Sequence, residues 1–474
     1  MRRRITLCSI AILFGCGLVA LLSLTTGSLL ARAWAGPVAT VRYVAPGAAC
    51  GGAAPCYASI QAAIDAAAAG DEIRVAAGVY TGINTRGGLR QVVFLDKGLI
   101  VRGGFTTANW TTPNPAANPT TVDAQGLGRG LVITGTQSLV TVEGLRVAGG
   151  NATGLAGRPD GRDAGGGVYI YLSNAALRGC TIFSNTASTS VTVRGYGGGL
   201  AAIYSTLAVS NCTVENNRAS TGARGYGGGL YVLNAAGWGG PITLAGNTIR
   251  GNIGSTAGSG YGGGVSLDAC TATLTGNTFQ ENTAASAAGA SGAGGGLDAG
   301  ESELTLANNT FQGNRGGSLG SGGGVYLYDT NATLTGDLLA GNTAGTDRTG
   351  DGGGLYAASD LSERVASLTL TGNTVRDNVA CRNAGPTTAI CRGGGLRLSR
   401  VSATLANNTI QNNTADASAL INDNGRGAAS RSMSRSTSRW ITIPSRATAP
   451  APAASASAAG WRRQPPRPGR AWSC

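Results

Sequence analysis

Histidine is absent from this chain of 474 residues, and charged and aromatic side chains are scarce. Without histidine, the chain lacks the usual general base near neutral pH and the commonest ligand of transition metals. Only 12% of the residues are charged and 5% are aromatic, whereas glycine occurs 79 times. A conventional globular core needs more large side chains, and so much glycine would destabilise helices. The composition favours a repeat array in which neighbouring repeats bury one another.

The net charge of +13 lies at the two ends of the chain. Residues 1–35 contain four arginines and no acid, and residues 426–474 contain nine arginines and no acid. These thirteen arginines account for the whole excess, so the centre is electrically balanced. Nucleic-acid binding needs a basic surface, and we therefore expect no nucleic-acid partner.

The N-terminal segment, residues 1–35, has the features of a bacterial-type export signal. A basic start at residues 2–4 precedes an apolar run at 5–24 and an Ala33-Trp34-Ala35 cleavage motif. The run is long for a signal peptide, so an uncleaved membrane anchor is the alternative. We expect a secreted or cell-surface protein that contacts a membrane only through this segment, and only if it stays uncleaved.

Export permits disulfide bonds, and two cysteine pairs are close enough in sequence to close small loops. The first pair is Cys50 with Cys56, and the second is Cys381 with Cys391. We predict a disulfide for each.

A repeat of about 32 residues organises the chain, and each copy contains a Gly-Gly-Gly triplet. The triplets begin at Gly165, Gly197, Gly227, Gly262, Gly294, Gly322, Gly352 and Gly393. Three short alternating segments with turn residues between them follow each triplet, as in Val325-Tyr326-Leu327-Tyr328. This pattern predicts an all-β fold, a single-stranded right-handed parallel β-helix with three strands per coil.

Two positions of the repeat are occupied mainly by asparagine and should stack from coil to coil. The first comprises Cys180, Cys212, Asn247, Asn277, Asn309, Asp337, Asn373 and Asn408. The second comprises Asn185, Asn217, Asn252, Asn282, Asn314, Asn342, Asn378 and Asn413. Amides stacked at the coil spacing can hydrogen-bond to one another, so we interpret both ladders as structural. Cys180 and Cys212 should stack as thiols, because adjacent parallel strands offer poor disulfide geometry.

The predicted β-helix covers residues 36–423. Residues 36–82 form an N-terminal cap, in which Ser59 begins a short helix over 60–69 that covers the open end of the solenoid. Residues 83–164 form irregular first coils, and 165–423 form the regular repeats. We expect a monomer unless an exposed C-terminal edge self-associates.

The N-terminal motif Tyr43-Val44-Ala45-Pro46, with residues 57–71 and 73–80, resembles the entry of bacterial β-helices of the pectin-lyase-like fold. The repeats resemble those of the polymorphic outer-membrane protein family, whose Gly-Gly-Ala-aliphatic and Phe-x-x-Asn signatures correspond to Gly294-Gly295-Gly296-Leu297 and Phe279-Gln280-Glu281-Asn282. That resemblance implies an exported passenger, often an adhesin. The chain departs from the family in having glycine for alanine, and it has no C-terminal barrel pattern.

Residues 424–474 form a basic low-complexity tail rich in Arg, Ser, Ala and Pro. We predict that this tail is repeat sequence read in a shifted frame. In that frame Gly427-Ala428-Ala429 permits Gly-Gly-Gly, and Trp440 followed by Ile441 forces an aliphatic residue or Met and then Asp. Ala458-Ala459-Gly460-Trp461 permits another Gly-Gly-Gly-Leu at a repeat distance. The native C-terminal coils and any anchoring domain would then be lost.

The resemblance to pectin-lyase-like folds implies that a ligand lies along the outward face of the strand after each triplet. The candidate ligand-binding residues there are Tyr169, Tyr171, Tyr231, Tyr326, Tyr328 and Tyr356. Aromatic rings on successive coils can stack on sugars, although tyrosine is also simply a good exposed strand former.

Asp268 and Asp298 are the weak catalytic candidates, because glycoside hydrolysis uses two carboxylates. A lyase would need an arginine near an acid cluster, but Arg397 is several coils away. We expect no metal and no cofactor. The sequence thus favours a glycan-binding, adhesin-type or structural surface rod, with a polysaccharide lyase or glycoside hydrolase as the alternative.

Overall fold

The computed structural model describes residues 39–234, 238–360, 365–382, 390–416 and 441–442. These residues form a right-handed parallel β-helix of about eleven turns, as predicted. The export segment and nearly all of the tail lie outside the described residues. The predictions of a cleavable signal and of a frameshift therefore stay predictions.

One coil shows the order of the strands. Val168–Tyr171 follows a triplet, and Asn174–Arg178 and Thr181–Phe183 come next. Two short strands, Thr186–Ser188 and Gly195–Tyr196, then lead to the next triplet. Stacking of the coils gives four sheets, which we number 1 to 4 in this order.

Sheets 1 and 2 carry the strands that follow each triplet. The strands of sheet 1 are Asn84–Arg86, Leu89–Leu95, Arg129–Thr134, Val168–Tyr171, Leu200–Ile203, Leu230–Leu233, Val265–Asp268, Leu297–Gly300, Val325–Tyr328, Leu355–Ala358 and Leu396–Ser399. Those of sheet 2 are Val41–Val44, Cys56–Tyr57, Glu72–Ala76, Ile100–Phe105, Val140–Glu143, Asn174–Arg178, Thr206–Ser210, Ile242–Ala245, Thr271–Thr275, Glu303–Ala307, Asn331–Thr335, Ser367–Thr371, Ser402–Ala406 and Ile441–Thr442.

Sheets 3 and 4 complete each coil. The strands of sheet 3 are Gly78–Tyr80, Thr120–Asp123, Leu145–Ala148, Thr181–Phe183, Thr213–Glu215, Thr248–Arg250, Thr278–Gln280, Thr310–Gln312, Leu338–Ala340, Thr374–Arg376 and Thr409–Gln411. Those of sheet 4 are Asp163–Ala164, Thr186–Ser188, Gly195–Tyr196, Arg218–Ser220, Gly225–Tyr226, Ile253–Ser255, Gly260–Tyr261, Thr283–Ala285, Ser291–Ala293, Arg315–Ser321, Thr343–Asp351, Val379–Cys381, Ile390–Arg392 and Thr414–Asp416.

Sheet 4 goes beyond the prediction of three strands per coil. Many of its strands have only two or three residues, such as Gly225–Tyr226, and segments that short show no readable alternation. Strands of neighbouring coils pair in parallel in all four sheets, apart from two antiparallel pairs at the ends of sheets 1 and 2. These pairs are Asn84–Arg86 with Leu89–Leu95 and Ser402–Ala406 with Ile441–Thr442.

Each triplet makes a sharp corner between sheet 4 and sheet 1. Gly197 has a φ of 63°, in the left-handed region that favours glycine. A Cβ on Gly198 would lie 2.2 Å from the carbonyl oxygen of Arg218, and one on Gly199 would lie 2.7 Å from that of Gly229. The first glycine is therefore required by backbone conformation, and the other two by close backbone approach.

The predicted inward side chains form one continuous core along the solenoid. Val168, Ile170, Phe279 and Phe311 are fully buried, and the two phenylalanine rings stack with centroids 4.4 Å apart. The exception is in the last described coil, where Ile410 is 39% exposed. No further described coil covers it.

Both asparagine ladders form the coil-to-coil hydrogen bonds that their spacing implied. Asn277 Nδ2 donates to Asn309 Oδ1 at 2.9 Å and to the carbonyl oxygen of Leu244 at 2.8 Å. At the start of the first ladder, Cys180 and Cys212 are free, buried thiols, and the Cys180 amide lies 3.3 Å from Cys212 Sγ. The ladder residues thus satisfy buried backbone groups at the corners of the coils.

A third polar ladder, which the sequence did not reveal, lies at the corner between sheets 1 and 2. The Ser173 amide donates to Ser205 Oγ at 3.2 Å, and the Ser205 amide donates to Asn234 Oδ1 at 3.1 Å. Farther along, the Ser302 amide donates to Thr330 Oγ1. Because different polar residues share the position, the sequence shows no repeated letter there.

The N-terminal region contains an α-helix at Ile60–Ala66, shorter than the predicted 60–69, and a 3-10 helix at Pro46–Ala48. Ser59 Oγ accepts a hydrogen bond from the Ala62 amide, and Ala67 is already extended. The α-helix packs on early strands of sheets 1 and 2. Its role as a cap over the open end stays a prediction.

The two predicted disulfides, Cys50–Cys56 and Cys381–Cys391, are confirmed. Disulfides persist in oxidising compartments, which fits an extracellular location. In the part of the chain that the structure describes, no helix is both long and apolar enough to cross a membrane.

Candidate functional site

We define the groove as the outward face of sheet 1 together with the residue that precedes each triplet, where sheet 4 meets sheet 1. Its floor consists of the outward side chains of sheet 1, and its wall consists of the residue that precedes each triplet. Floor and wall contact each other across the triplet corner. The rings of Tyr196 on the wall and Tyr231 on the floor have centroids 4.8 Å apart, and Asp351 on the wall lies 3.6 Å from Arg397 Nε on the floor.

The N-terminal half of the groove is covered by residues 155–163, which we call the covering segment. Tyr169 donates from its hydroxyl to the carbonyl oxygen of Gly157 at 2.6 Å. Arg129, fully buried, donates to the carbonyl oxygens of Ala156 and Ala164, and its guanidinium lies 4.7 Å from the Tyr169 ring centroid. Burial lowers the pKa of Arg129 to about 10.

Arg158 anchors the covering segment inside the groove. Its guanidinium lies 4.4 Å from the Tyr196 ring centroid and donates to the hydroxyl of Tyr231. Tyr231 in turn donates to Asp268 Oδ2 at 3.3 Å. The covering segment therefore ends beside Asp268, where the open half of the groove begins.

Two of the predicted ligand-binding tyrosines are consequently unavailable to a ligand. Tyr169 and Tyr231 point away from the main core, as predicted, but they belong to a second hydrophobic cluster and are only 5% and 1% exposed. Burial raises the pKa of both phenols. Tyr171 is half-buried beside Tyr169, with the two rings stacked at 6.2 Å.

The open half presents a column of side chains in strict register on successive coils. The paired residues are Ser266, Asp298, Tyr326, Tyr356 and Arg397. Ser266 donates to Asp298 Oδ2 at 3.0 Å, and the rings of Tyr326 and Tyr356 have centroids 5.4 Å apart at an angle of 59°. All except Ser266 are half-buried, so their side chains are held in place yet reachable from solvent.

A second column of the floor includes Asp268 and Tyr328. Tyr328 donates to Asp360 Oδ2 at 2.7 Å, which fixes its ring at the edge of the groove. Burial raises the pKa of Tyr326 in the first column, and the nearby Asp298 carboxylate adds to this effect. The Tyr326 phenol is therefore a neutral hydrogen-bonding group at physiological pH.

Asp268 and Asp298 lie on adjacent strands but are offset by two residues, because Asp298 pairs with Ser266 and Asp268 with Gly300. A strand spacing of ~4.8 Å and a rise of ~3.3 Å per residue place their Cα atoms about 8 Å apart. Each carboxylate accepts a hydrogen bond from a neutral hydroxyl, from Tyr231 and Ser266 respectively.

The C-terminal end of the groove carries an ionic cluster. Asp351 Oδ1 lies 3.0 Å from Arg392 Nε and 3.6 Å from Arg397 Nε. Burial raises the pKa of Asp351, and the two arginines oppose that shift. Among the described residues, no group of three or more acidic or cysteine side chains is arranged to hold a metal ion.

The wall contains tyrosines that the sequence analysis did not single out. Tyr196, Tyr226 and Tyr261 stack on successive coils, with centroids 4.8 Å apart for each adjacent pair. In the sequence, a tyrosine directly precedes three of the triplets. This pattern could be linked to a binding surface only after the structure showed that sheet 4 borders the groove.

Residues 124–433 match the family model described as right handed beta helix region. The chain belongs to this family. No curated protein was found to be similar in sequence. The resemblance to the polymorphic outer-membrane proteins stays a prediction.

Solved structures of other proteins align with most of the chain at low identity. An alginate lyase from Paenibacillus sp. strain FPU-7 is 13% identical, with a TM-score of 0.33, over 71% of this chain and 96% of the lyase. Pectate lyase Pel9A is 14% identical, with a TM-score of 0.32, over 75% and 79%. The catalytic unit of a GH87 α-1,3-glucanase from Streptomyces thermodiastaticus strain HF3-3 is 12% identical, with a TM-score of 0.28, over 75% and 66%.

Proposed function

We propose that this protein is an extracellular polysaccharide-binding rod that holds a hydroxyl-rich glycan in the open half of the groove. The observation that carries the proposal is the column Asp298, Tyr326, Tyr356 and Arg397, which repeats at one coil spacing along a rigid sheet. Such a column can contact successive sugars of one chain, with rings for their apolar faces and polar groups for their hydroxyls.

Rigidity supports binding by this surface. The floor strands are hydrogen-bonded to both neighbouring coils, and the side chains beneath them, such as Val325 and Leu355, are fully buried. The floor residues are therefore already ordered before a ligand arrives, which lowers the entropic cost of binding.

A catalytic function is less well supported by the same residues. Inverting hydrolysis needs one carboxyl group that stays protonated and a second that activates water. Asp268 and Asp298 are offset by two residues on adjacent strands, and each accepts a hydrogen bond from a hydroxyl, of Tyr231 and Ser266 respectively. These contacts do not assign one carboxylate to the acid role and the other to the base role.

Binding of full-length protein to a panel of immobilised neutral polysaccharides tests the proposal. Tyr356→Ala removes a half-buried ring from the middle of the column and should weaken binding roughly tenfold. Tyr204→Ala is the matched control, because Tyr204 is also half-buried but lies over the covered half of the groove, beside Tyr171. It should leave binding unchanged.

Two results would contradict the proposal. Equal loss of binding in both variants would mean that the open column is not the binding surface. Release of soluble oligosaccharides by the parent protein, abolished by Asp298→Asn, would identify an enzyme instead.

A further inference from the structure

Three arginines stack on successive coils of sheet 4, two residues before the wall position. They are Arg162, Arg194 and Arg224, and the pairing of Asp163 with Gly195 and of Gly195 with Gly225 places them on adjacent rungs. Each arginine directly precedes a two-residue strand of sheet 4, and continuation of the strand alternation would place it on the same side as the wall tyrosines.

Guanidinium and phenol groups alternate along this face. Arg162 Nη1 lies 3.5 Å from the hydroxyl of Tyr196, and Arg194 is close enough to the same hydroxyl to interact with it electrostatically. Arg194 and Arg224 are both close enough to Tyr226 to interact electrostatically with its hydroxyl. We call Arg194, Arg224, Tyr226 and Tyr261 the arginine–tyrosine strip, and all four side chains are half-buried.

The strip has a surplus of positive charge. Arg162 is paired with Asp160 at 2.7 Å, and Asp160 also pairs with Arg158. Within the described part of the chain, neither Arg194 nor Arg224 forms an ion pair with a carboxylate.

An oxyanion bound by the two guanidinium groups would balance this surplus charge. Arginine presents a rigid fork of donors that matches a carboxylate or sulfate, and the adjacent phenol hydroxyls can donate as well. Because the arginines repeat at the coil spacing of ~4.8 Å, the strip suits a ligand with oxyanions on successive units.

We propose that the arginine–tyrosine strip binds a linear polyanion, namely a carboxylated or sulfated polysaccharide. Arg194 and Arg224 lie on the wall beside the covered half of the groove, whereas Asp268 and Asp298 lie in the open half. Tyr261, at the C-terminal end of the strip, borders the open half, where it is close to Tyr326. This proposal does not depend on glycan binding by the open column.

The extracellular setting indicated by the disulfides favours a polysaccharide over a nucleic acid as the polyanion. Phenol hydroxyls beside the guanidinium groups also suit a ligand that carries sugar hydroxyls between its charges.

The test compares three polymers with one backbone: dextran, carboxymethyl dextran and dextran sulfate. Full-length protein should bind at least one of the charged polymers, more weakly as salt increases, and should not bind dextran at the strip. The double variant Arg194→Gln/Arg224→Gln retains hydrogen-bond donors but loses both charges. It should weaken polyanion binding by roughly tenfold per arginine, because charge-assisted hydrogen bonds are lost.

Arg218→Gln is the matched control. Arg218 is exposed and lies in Arg218–Ser220, a strand of sheet 4 that does not directly precede a triplet. This variant should leave the affinity within about twofold of the parent, since the charge of Arg218 is solvated. The double variant should unfold at an unchanged temperature, because neither arginine forms an ion pair with a described carboxylate. Tyr356→Ala should not alter polyanion binding. The effect of this variant on neutral polysaccharides therefore tests the open column independently of the strip.

Three results would overturn the proposal. One is binding to charged dextrans that the double variant and Arg218→Gln reduce equally, which would indicate nonspecific attraction. Another is no binding to either charged polymer. The third is tighter binding to a single-stranded oligonucleotide than to dextran sulfate, with the same dependence on Arg194 and Arg224, which would assign the strip to nucleic acid.

Discussion

Asp337 is the one described carboxylate in the first asparagine ladder, and its replacement by asparagine should stabilise the protein at neutral pH. The Asn309 amide and Asn309 Nδ2 both donate to Asp337 Oδ1, at 2.6 and 2.9 Å. Asp337 Oδ2 is buried and has no hydrogen-bond partner. It occupies the place where the other rungs have an amide nitrogen.

The neighbouring rungs show what that nitrogen does. Asn309 Nδ2 donates to the carbonyl oxygen of Leu274, and Asn373 Nδ2 donates to that of Leu334. By the repeat, Asp337 Oδ2 faces a carbonyl oxygen as well. An ionised carboxylate would place acceptor against acceptor, whereas a protonated one can donate, so the fold favours the protonated form.

The size of the effect follows from burial. Asp337 is 1% exposed, and burial raises its pKa from 3.8 to about 6, while hydrogen bonds from Asn309 oppose the shift. A shift of about two units corresponds to about 3 kcal/mol. Because the folded-state pKa is raised, the folded chain binds more protons than the unfolded chain between about pH 4 and 6. Stability should therefore fall as the pH rises through this window and then level off.

Urea denaturation of the parent and of Asp337→Asn at about pH 4, 6 and 8 measures the difference. The variant should be up to about 3 kcal/mol more stable at about pH 8 and nearly equal at about pH 4. The other carboxylates are the same in both proteins. The difference in unfolding free energy between parent and variant therefore reports on residue 337 alone. Asn373→Asp is the mirror control and should be destabilising at neutral pH. A difference independent of pH, or a less stable Asp337→Asn at about pH 8, would refute the reasoning.

Three further changes test the fold. Gly198→Ala places a Cβ against the facing backbone and should cost more than 3 kcal/mol or prevent folding, whereas Gly276→Ala, with nothing within 4 Å, should cost about 1 kcal/mol; urea midpoints compare them. Asn282→Ala breaks side-chain hydrogen bonds to both neighbouring coils and should cost about 2–4 kcal/mol in the same assay, so a neutral result would argue against a structural ladder. Cys381→Ser opens the short loop closed with Cys391 and should cost about 2–3 kcal/mol under oxidising conditions but little under reducing conditions.

Much of the fold could be predicted because it repeats. Asparagine recurs at the position of Asn277 in coil after coil. When repeats of similar length stack, equivalent positions of neighbouring coils lie on top of one another. Alternation along Val325–Tyr328 likewise assigns each side chain to the core or to the surface. The third ladder was not predicted, because Ser205, Asn234 and Thr330 accept the equivalent backbone hydrogen bonds with different side chains.

The candidate site was only partly predictable. The column from Asp298 to Arg397 lies on the predicted face, because register within a sheet follows from the repeat. The wall tyrosines, and the arginines two residues before them, could be assigned to the groove only after sheet 4 was seen. Strands of two residues have too little pattern to predict.

The sequence by itself determined the solenoid, its core and its ladders, because each of these depends on contacts between equivalent positions of neighbouring repeats. Only the tertiary structure decided which part of the predicted face is open. Arg158 contacts Tyr231, 73 residues later, through a segment that has no periodicity and no equivalent among the described residues of the other coils. A contact between two unlike segments leaves no pattern in either of them, and this contact buries Tyr169 and Tyr231 while Tyr326 and Tyr356 remain accessible.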